Sequence, residues 1–184
     1  MNDFLHQAEN TLEHADILVD EAEVKACYDA MAQAIHDDLY DRDPVILCVM
    51  LGGMYVTSEI TKRLRFPFEL DYLQASRYRG ETSGGELVWK VSPSVSLEDR
   101  HVLVVDDILD EGHTLTHILA CLEQQRPASV STAVLVEKQH DRRDPKQCAT
   151  YVGVKLPDRY LIGCGMDYRN YYRQLPYIAA LRAM

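Results

Sequence analysis

Four branched apolar residues in succession, Val102-Leu103-Val104-Val105, run directly into Asp106-Asp107-Ile108-Leu109-Asp110-Glu111-Gly112-His113-Thr114-Leu115. An apolar run without polar alternation predicts a strand covered on both faces, the habit of parallel sheets. Such sheets take ligands at the carboxyl ends of their strands, where Asp106 and Asp107 fall. Asp106, Asp107, Asp110 and Glu111 place four negative charges within six positions, with no Lys or Arg among them. Crowded carboxylates repel one another unless hydroxyls, a cation or solvent relieves them, which suits a sugar diol and a divalent ion. Gly112 allows close backbone approach, and the first-turn amides of a following helix, with the Thr114 hydroxyl, can hold a phosphate. The same residues admit a plainer reading, in which Asp110 or Thr114 caps the helix and acids merely favour its first turn.

One further segment, from Pro44 to Leu64, has the same strand, glycine turn and helix. Asp20 and Glu23 are spaced as a capping box, and Val24, Cys27, Tyr28, Met31, Ile35 and Leu39 recur at helical intervals, predicting an amphipathic helix from Asp20 to Leu39. Pro44 opens a second apolar strand, Val45-Ile46-Leu47-Cys48-Val49, which Gly52-Gly53 breaks before a helix expected from Met54 to Leu64. Further strands are expected at Glu69 to Ala75, Leu87 to Val91, Val130 to Val136 and Tyr151 to Val154, with a helix from Thr114 to about Gln125. Alternating helices and buried strands indicate an α/β fold with a doubly wound, mostly parallel sheet flanked by helices. The glycine-rich, polar run from Ser76 to Glu86, between two strands, reads as a flexible loop or an ordinary hairpin tip.

The string Val104 to Leu115 resembles the phosphoribosyl-pyrophosphate (PRPP) signature of type I phosphoribosyltransferases: apolar strand, acidic pair, two apolar residues, Asp, a variable residue, Gly, a variable residue, Thr. Leu156-Pro157-Asp158-Arg159-Tyr160-Leu161-Ile162-Gly163, then Gly165-Met166-Asp167-Tyr168 and Tyr172-Arg173, is similar to the purine-binding end of hypoxanthine-guanine phosphoribosyltransferases. Together the matches cover most of the chain from about Pro44 onward. The resemblance implies one phosphoribosyltransferase domain over residues 1–184, with 1–43 as an N-terminal helical segment. It implies transfer of the 5-phosphoribosyl group from PRPP to N9 of a 6-oxopurine, releasing pyrophosphate and forming a purine nucleotide, with Mg2+ as cofactor.

By the same resemblance, Asp106 and Asp107 meet the ribose hydroxyls and the metal, Asp110 handles the purine proton, and Glu111, Gly112, His113, Thr114 and Leu115 form the 5-phosphate pocket. Gly52 and Gly53 contact pyrophosphate, although Leu51 stands where many members carry lysine. Lys138 donates to the purine O6, Tyr160 stacks on the ring and Leu161 meets its edge. Asp167, on the purine side, ligates magnesium, and Arg173 lies near the leaving group. Ser76, Arg77 and Tyr78 belong to a lid loop, with Arg77 separating a Ser-Tyr pair that is adjacent in similar enzymes. Without the resemblance, Tyr160, Leu161 and Ile162 read as a core strand and Lys138 as a surface lysine.

A formal net charge of -10 argues against nucleic acid as a partner, since phosphate backbones are held mainly by Lys and Arg. No long apolar span and no basic-then-apolar leader is present, so neither membrane insertion nor secretion is expected. Cys27, Cys48, Cys121, Cys148 and Cys164 lack paired metal-ligand spacing and read as free cytoplasmic thiols. The resemblance implies a homodimer or homotetramer. Two rivals share the acidic strand end. A phosphoacceptor signalling domain would place the pair after its first strand, with more chain following than Asp106 has here, and leaves the Asp110 to Thr114 turn unexplained. A PRPP-sensing nucleic-acid regulator conflicts with the acidic balance and has no use for Lys138 and Asp167.

Overall fold

The structure is a computed structural model and describes residues 9–77, 87–144 and 146–182. A short strand, β1 (Asp16–Val19), leads into α1 (Glu21–Leu39). The capping box forms as expected: Asp20 Oδ1 accepts from the Glu23 amide and Glu23 Oε2 from the Asp20 amide, both at 2.9 Å. The chain continues through β2 (Val45–Val49), α2 (Gly53–Thr61), β3 (Glu69–Arg77) and β4 (Leu87–Val91). Then follow β5 (His101–Leu109), α3 (His113–Glu123), β6 (Ser129–Gln139), β7 (Tyr151–Pro157), β8 (Leu161–Ile162) and β9 (Ile178–Ala180).

The main sheet has six strands in the order β4-β3-β2-β5-β6-β7, parallel throughout except for the β3-β4 pair at one edge. Its centre is apolar on both sides, which explains the unbroken run in β5. Leu103 and Val105 pack with Val56 and Ile60 of α2 and the buried stripe of α1, whereas Val102 and Val104 pack with Leu115, Ile118 and Leu122 of α3. Helices therefore cover both faces, and the doubly wound α/β architecture expected from the sequence is present.

Several boundaries differ from the sequence reading. β5 continues past the acidic pair to Leu109, because Asp106, Ile108 and Leu109 keep their register with Val134, Val136 and Glu137 of β6. β3 likewise extends to Arg77, where Ser76 pairs with Val88 and Arg77 with Leu87. Those two residues belong by backbone to a strand, not to the glycine-rich excursion; Tyr78 and the rest of that excursion, 79–86, lie outside the described residues. α2 is shorter than expected and ends at Thr61. The N-terminal segment, read as helical, also contributes β1 to a second sheet of order β1-β9-β8. Asp16 staples that sheet, accepting from Arg159 at 2.8 Å and from Arg182 at 2.9 Å.

Asp71 fixes the approach to β5. Its buried carboxylate accepts from the amides of Tyr72 (2.8 Å), Ser94 (2.6 Å) and Val95 (3.1 Å) and from the Ser94 hydroxyl (3.0 Å). Burial pushes the group's pKa up, but these donors outweigh it and hold it below the ordinary carboxylate value. A depressed folded-state pKa contributes stability that is present above the unfolded value and lost as pH falls through the folded one. Asp71→Ala is expected to cost about 2–4 kcal/mol at neutral pH and to flatten the acid side of the stability curve, as read by urea unfolding from pH 7 to pH 3. An unchanged acid dependence would contradict this role. All five cysteines are free thiols. Among the described residues no helix is long and apolar enough to cross a membrane.

Candidate active site

The carboxyl ends of β5 and β6 build the site. Asp106 Oδ1 accepts from the Asp107 amide at 2.9 Å, so the two acids are held side by side. Burial, and then the charge of Asp107, raises the pKa of Asp106 well above its ordinary value; burial also raises that of Asp107. The nearest guanidinium offers little relief to the pair. Arg173 Nη1 stands 4.0 Å from Asp107 Oδ2 while Nη2 is 2.5 Å from Asp167 Oδ1. Two adjacent carboxylates, of which Asp107 is buried, short of positive charge form a hard oxygen donor set that fits a divalent cation such as Mg2+.

Glycines make room for this arrangement. A Cβ on Gly52 would lie 2.2 Å from Asp107 Oδ2, and one on Gly165 would lie 2.2 Å from the Gly52 carbonyl oxygen. Gly53 is small for another reason, since its Cβ would come within 2.5 Å of the Val105 carbonyl oxygen where α2 starts against β5. Close packing thus accounts for both residues of the Gly52-Gly53 turn. The Met50–Leu51 peptide before the turn is cis.

After β5, Gly112 turns the chain with φ +79° and itself occupies the N-cap of α3, offering no side chain to cap the first-turn amides. The capping alternative for Asp110 and Thr114 therefore falls. Residues 106–115 enclose a cavity of about 340 Å3. A second cavity, of about 210 Å3, is lined by Asp107, Ile108, Asp110, Lys138, Tyr160, Leu161, Met166 and Asp167. Asp107, Ile108 and Asp110 border both cavities. Leu161 is buried in β8, as a core strand would have it, yet it also lines the second cavity, and the half-exposed Tyr160 leans edge-on to Tyr168 with centroids 6.0 Å apart.

Asp110 faces two donors. Lys138 Nζ is 2.8 Å from its Oδ2 and 3.5 Å from Asp158 Oδ1, and His140 Nε2 is 2.8 Å from its Oδ1. Burial pulls the Asp110 pKa up, and the hydrogen bonds from Lys138 and His140 prevail to hold it below the ordinary value. Arg142 bonds Glu111 at 3.2 Å and Asp158 at 2.6 Å, and keeps the Asp158 pKa at about 2. Asp110, His140 and Asp158 offer ligand atoms within 4.8 Å of one another, but Lys138 and Arg142 already neutralise them. Asp106 and Asp107 carry less compensation, with Arg173 standing 4.0 Å from Asp107.

The structure thus gathers Asp106, Asp107, Asp110, Glu111, Gly112, His113, Thr114 and Leu115 around one cavity and Lys138, Tyr160, Leu161 and Asp167 around the adjoining one. Gly52, Gly53 and Arg173 border the acids from behind. The sequence reading missed His140, Arg142, Arg143 and the pairing of Asp158. Arg143 Nη1 donates to the carbonyls of Leu109 (3.3 Å), Asp110 (2.8 Å) and Lys138 (3.1 Å), and Nη2 lies 3.1 Å from Glu137. One guanidinium therefore clips the ends of β5 and β6 together. The only available signal was a cluster of charge just after Lys138.

Acids on a central parallel strand, a glycine turn opening a helix and an adjoining pocket walled by a lysine and an aromatic fit a ligand that carries hydroxyls and phosphate. Residues 14–169 match the family described as phosphoribosyl transferase domain, and the chain belongs to that family. It is 32% identical over 166 residues to the hypoxanthine-guanine-xanthine phosphoribosyltransferase of Tritrichomonas foetus, spanning 90% of this chain and 91% of that one. The hypoxanthine-guanine phosphoribosyltransferase of Staphylococcus epidermidis is 33% identical over 169 residues, spanning 91% and 94%. A crystal structure of a hypoxanthine phosphoribosyltransferase from Staphylococcus aureus superposes with a TM-score of 0.87 at 30% identity, covering 99% of this chain and 96% of that one.

Proposed function

We propose that this protein is a purine salvage enzyme that transfers the 5-phosphoribosyl group of PRPP to N9 of hypoxanthine or guanine, yielding the nucleotide and pyrophosphate. The observation that carries this reading is Asp110, which borders both cavities and is bonded to Lys138 at 2.8 Å. The open amides of α3, with Glu111, Gly112, His113, Thr114 and Leu115, take the 5-phosphate. Asp106 and Asp107 accept from the ribose hydroxyls, and the Gly52-Gly53 amides with Arg173 face the pyrophosphate; Leu51 offers no side-chain cation there. Asp106, Asp107 and Asp167 would hold Mg2+, which when bound neutralises the leaving group.

The base lies between Tyr160 and the Leu161 backbone, with Lys138 donating to O6. As N9 bonds to C1′ and the bond from C1′ to the pyrophosphate oxygen breaks, the purine proton passes to Asp110. By the resemblance, the excursion that starts at Tyr78, where β3 ends with Ser76 and Arg77, serves as a lid that keeps water from the ribose carbon. Free thiols and the acidic charge fit a cytoplasmic protein. Exposed apolar side chains such as Leu51, Met54, Leu70 and Tyr72 supply surface for a homodimer or homotetramer.

An ammonium group can only donate, so the pocket accepts a 6-oxo group and rejects a 6-amino group. An ultraviolet assay with PRPP, Mg2+ and each base is expected to show turnover of hypoxanthine or guanine, with adenine slower by on the order of a hundredfold or more. Turnover of adenine alone would overturn the reading.

A further inference from the structure

His140 sits deeper than the residues around it, with a side chain 4% exposed, and it is spent entirely on the site. Its Nδ1 lies 3.2 Å from the Arg142 backbone nitrogen, and its Nε2 lies 2.8 Å from Asp110 Oδ1. A backbone amide can only donate, so Nδ1 accepts and the ring proton resides on Nε2, where it points at the carboxylate. The other Asp110 oxygen, Oδ2, is bonded to Lys138. The charged groups of the network around Asp110 and His140 come from four segments: Asp110 and Glu111 after β5, Lys138 at the end of β6, Arg142 and Arg143 in the β6–β7 connection and Asp158 after β7.

The two donors to Asp110 have different futures once a purine arrives. Lys138 is wanted by the base O6 and must share or surrender Oδ2. Among the described residues His140 Nε2 is bonded to Asp110 alone, and the main-chain donor at Nδ1 sets its tautomer. We infer that His140 is a positioning residue for Asp110: it holds Oδ1 through a neutral Nε2–H so that Oδ2, released by Lys138, is the oxygen presented to the purine proton. This rests on the proposed base role of Asp110. A neutral donor suits the task, because it orients the carboxylate while leaving the cationic contact, which suppresses basicity, on the side that the substrate itself removes. Loss of the His140 hydrogen bond must raise the Asp110 pKa, so the acidic limb of the rate profile should move toward higher pH.

Two near-isosteric substitutions separate positioning from packing. His140→Gln places an amide N–H near the Nε2 position and can still reach Asp110, whereas His140→Asn places its polar atoms near Nδ1 and cannot. His140→Asn is expected to lower kcat about tenfold and shift the acidic limb of kcat/KM upward, with the KM for PRPP within about twofold of the parent. His140→Gln is expected to stay within about threefold of the parent, with its acidic limb in place. Equal losses in both variants, or a parental pH profile for His140→Asn, would overturn the inference. Asp110→Asn, assayed alongside, separates this failure from a deeper one. If Asp110→Asn turns over normally, the base role itself is wrong; if it is impaired while His140→Asn is not, only the role of His140 falls.

Discussion

Asp110→Asn should lower kcat by about a hundredfold to ten-thousandfold, the range that a positioned general base contributes, with PRPP affinity kept within a few-fold. The amide cannot take a proton, yet it fills the same space between the two cavities. The side chain is 41% exposed, so removing its charge leaves no buried ion stranded. Lys138, at 12% exposure, keeps Asp158 at 3.5 Å as an anionic neighbour, which guards the fold of the pocket. Steady-state kinetics with hypoxanthine and guanine, together with PRPP binding followed by calorimetry, check both halves of the expectation. A variant with parental kcat would remove Asp110 from the chemistry, and one that loses PRPP binding instead would make it a sugar ligand.

The second large effect is expected at Gly165. Its φ of +105° is strained for any residue with a side chain, and the added Cβ of Gly165→Ala would meet the Gly52 carbonyl oxygen at 2.2 Å and Asp107 Cβ at 3.1 Å. Backbone on one side and a buried acid on the other leave nothing soft to yield. A loss of about 2–4 kcal/mol in stability is expected by denaturant unfolding, because strain and overpacking coincide. Activity should fall further than stability explains, by about a hundredfold at a temperature where the variant is fully folded, since small misplacements of reacting groups are costly. Parental stability and kcat/KM in Gly165→Ala would contradict the packing described for Gly52, Asp107 and Gly165.

The sequence carried the main sheet because each of its central strands is written as an apolar run that both cores require. β2 and β5 were legible from Val45–Val49 and from Val102–Val105, and α1 from its stripe and capping box. Their ends were less legible. Whether β5 stops at Asp106 or Leu109 depends on register with β6, a long-range pairing that no local pattern encodes. The second sheet was hidden for the same reason: β8 has two residues and β9 three, too short for a period to show. In the site, the acidic turn announced itself through charge density, and Lys138 and Asp167 came from resemblance. His140, Arg142 and Arg143 came from neither, because their partners Asp110, Glu111, Asp158 and Leu109 are distant in sequence and only folding brings them within reach.

The small sheet also ties distant stretches of the polypeptide together. Ala180 of β9 is the shared neighbour of Asp16 in β1 and of Leu161 in β8, so the strand that carries one wall of the second cavity is braced only when an early and a late stretch of the polypeptide meet. The acidic turn, by contrast, is framed by strands finished some forty residues sooner. Loss of β9 would therefore leave Leu161, and the wall it gives the second cavity, without its paired neighbour.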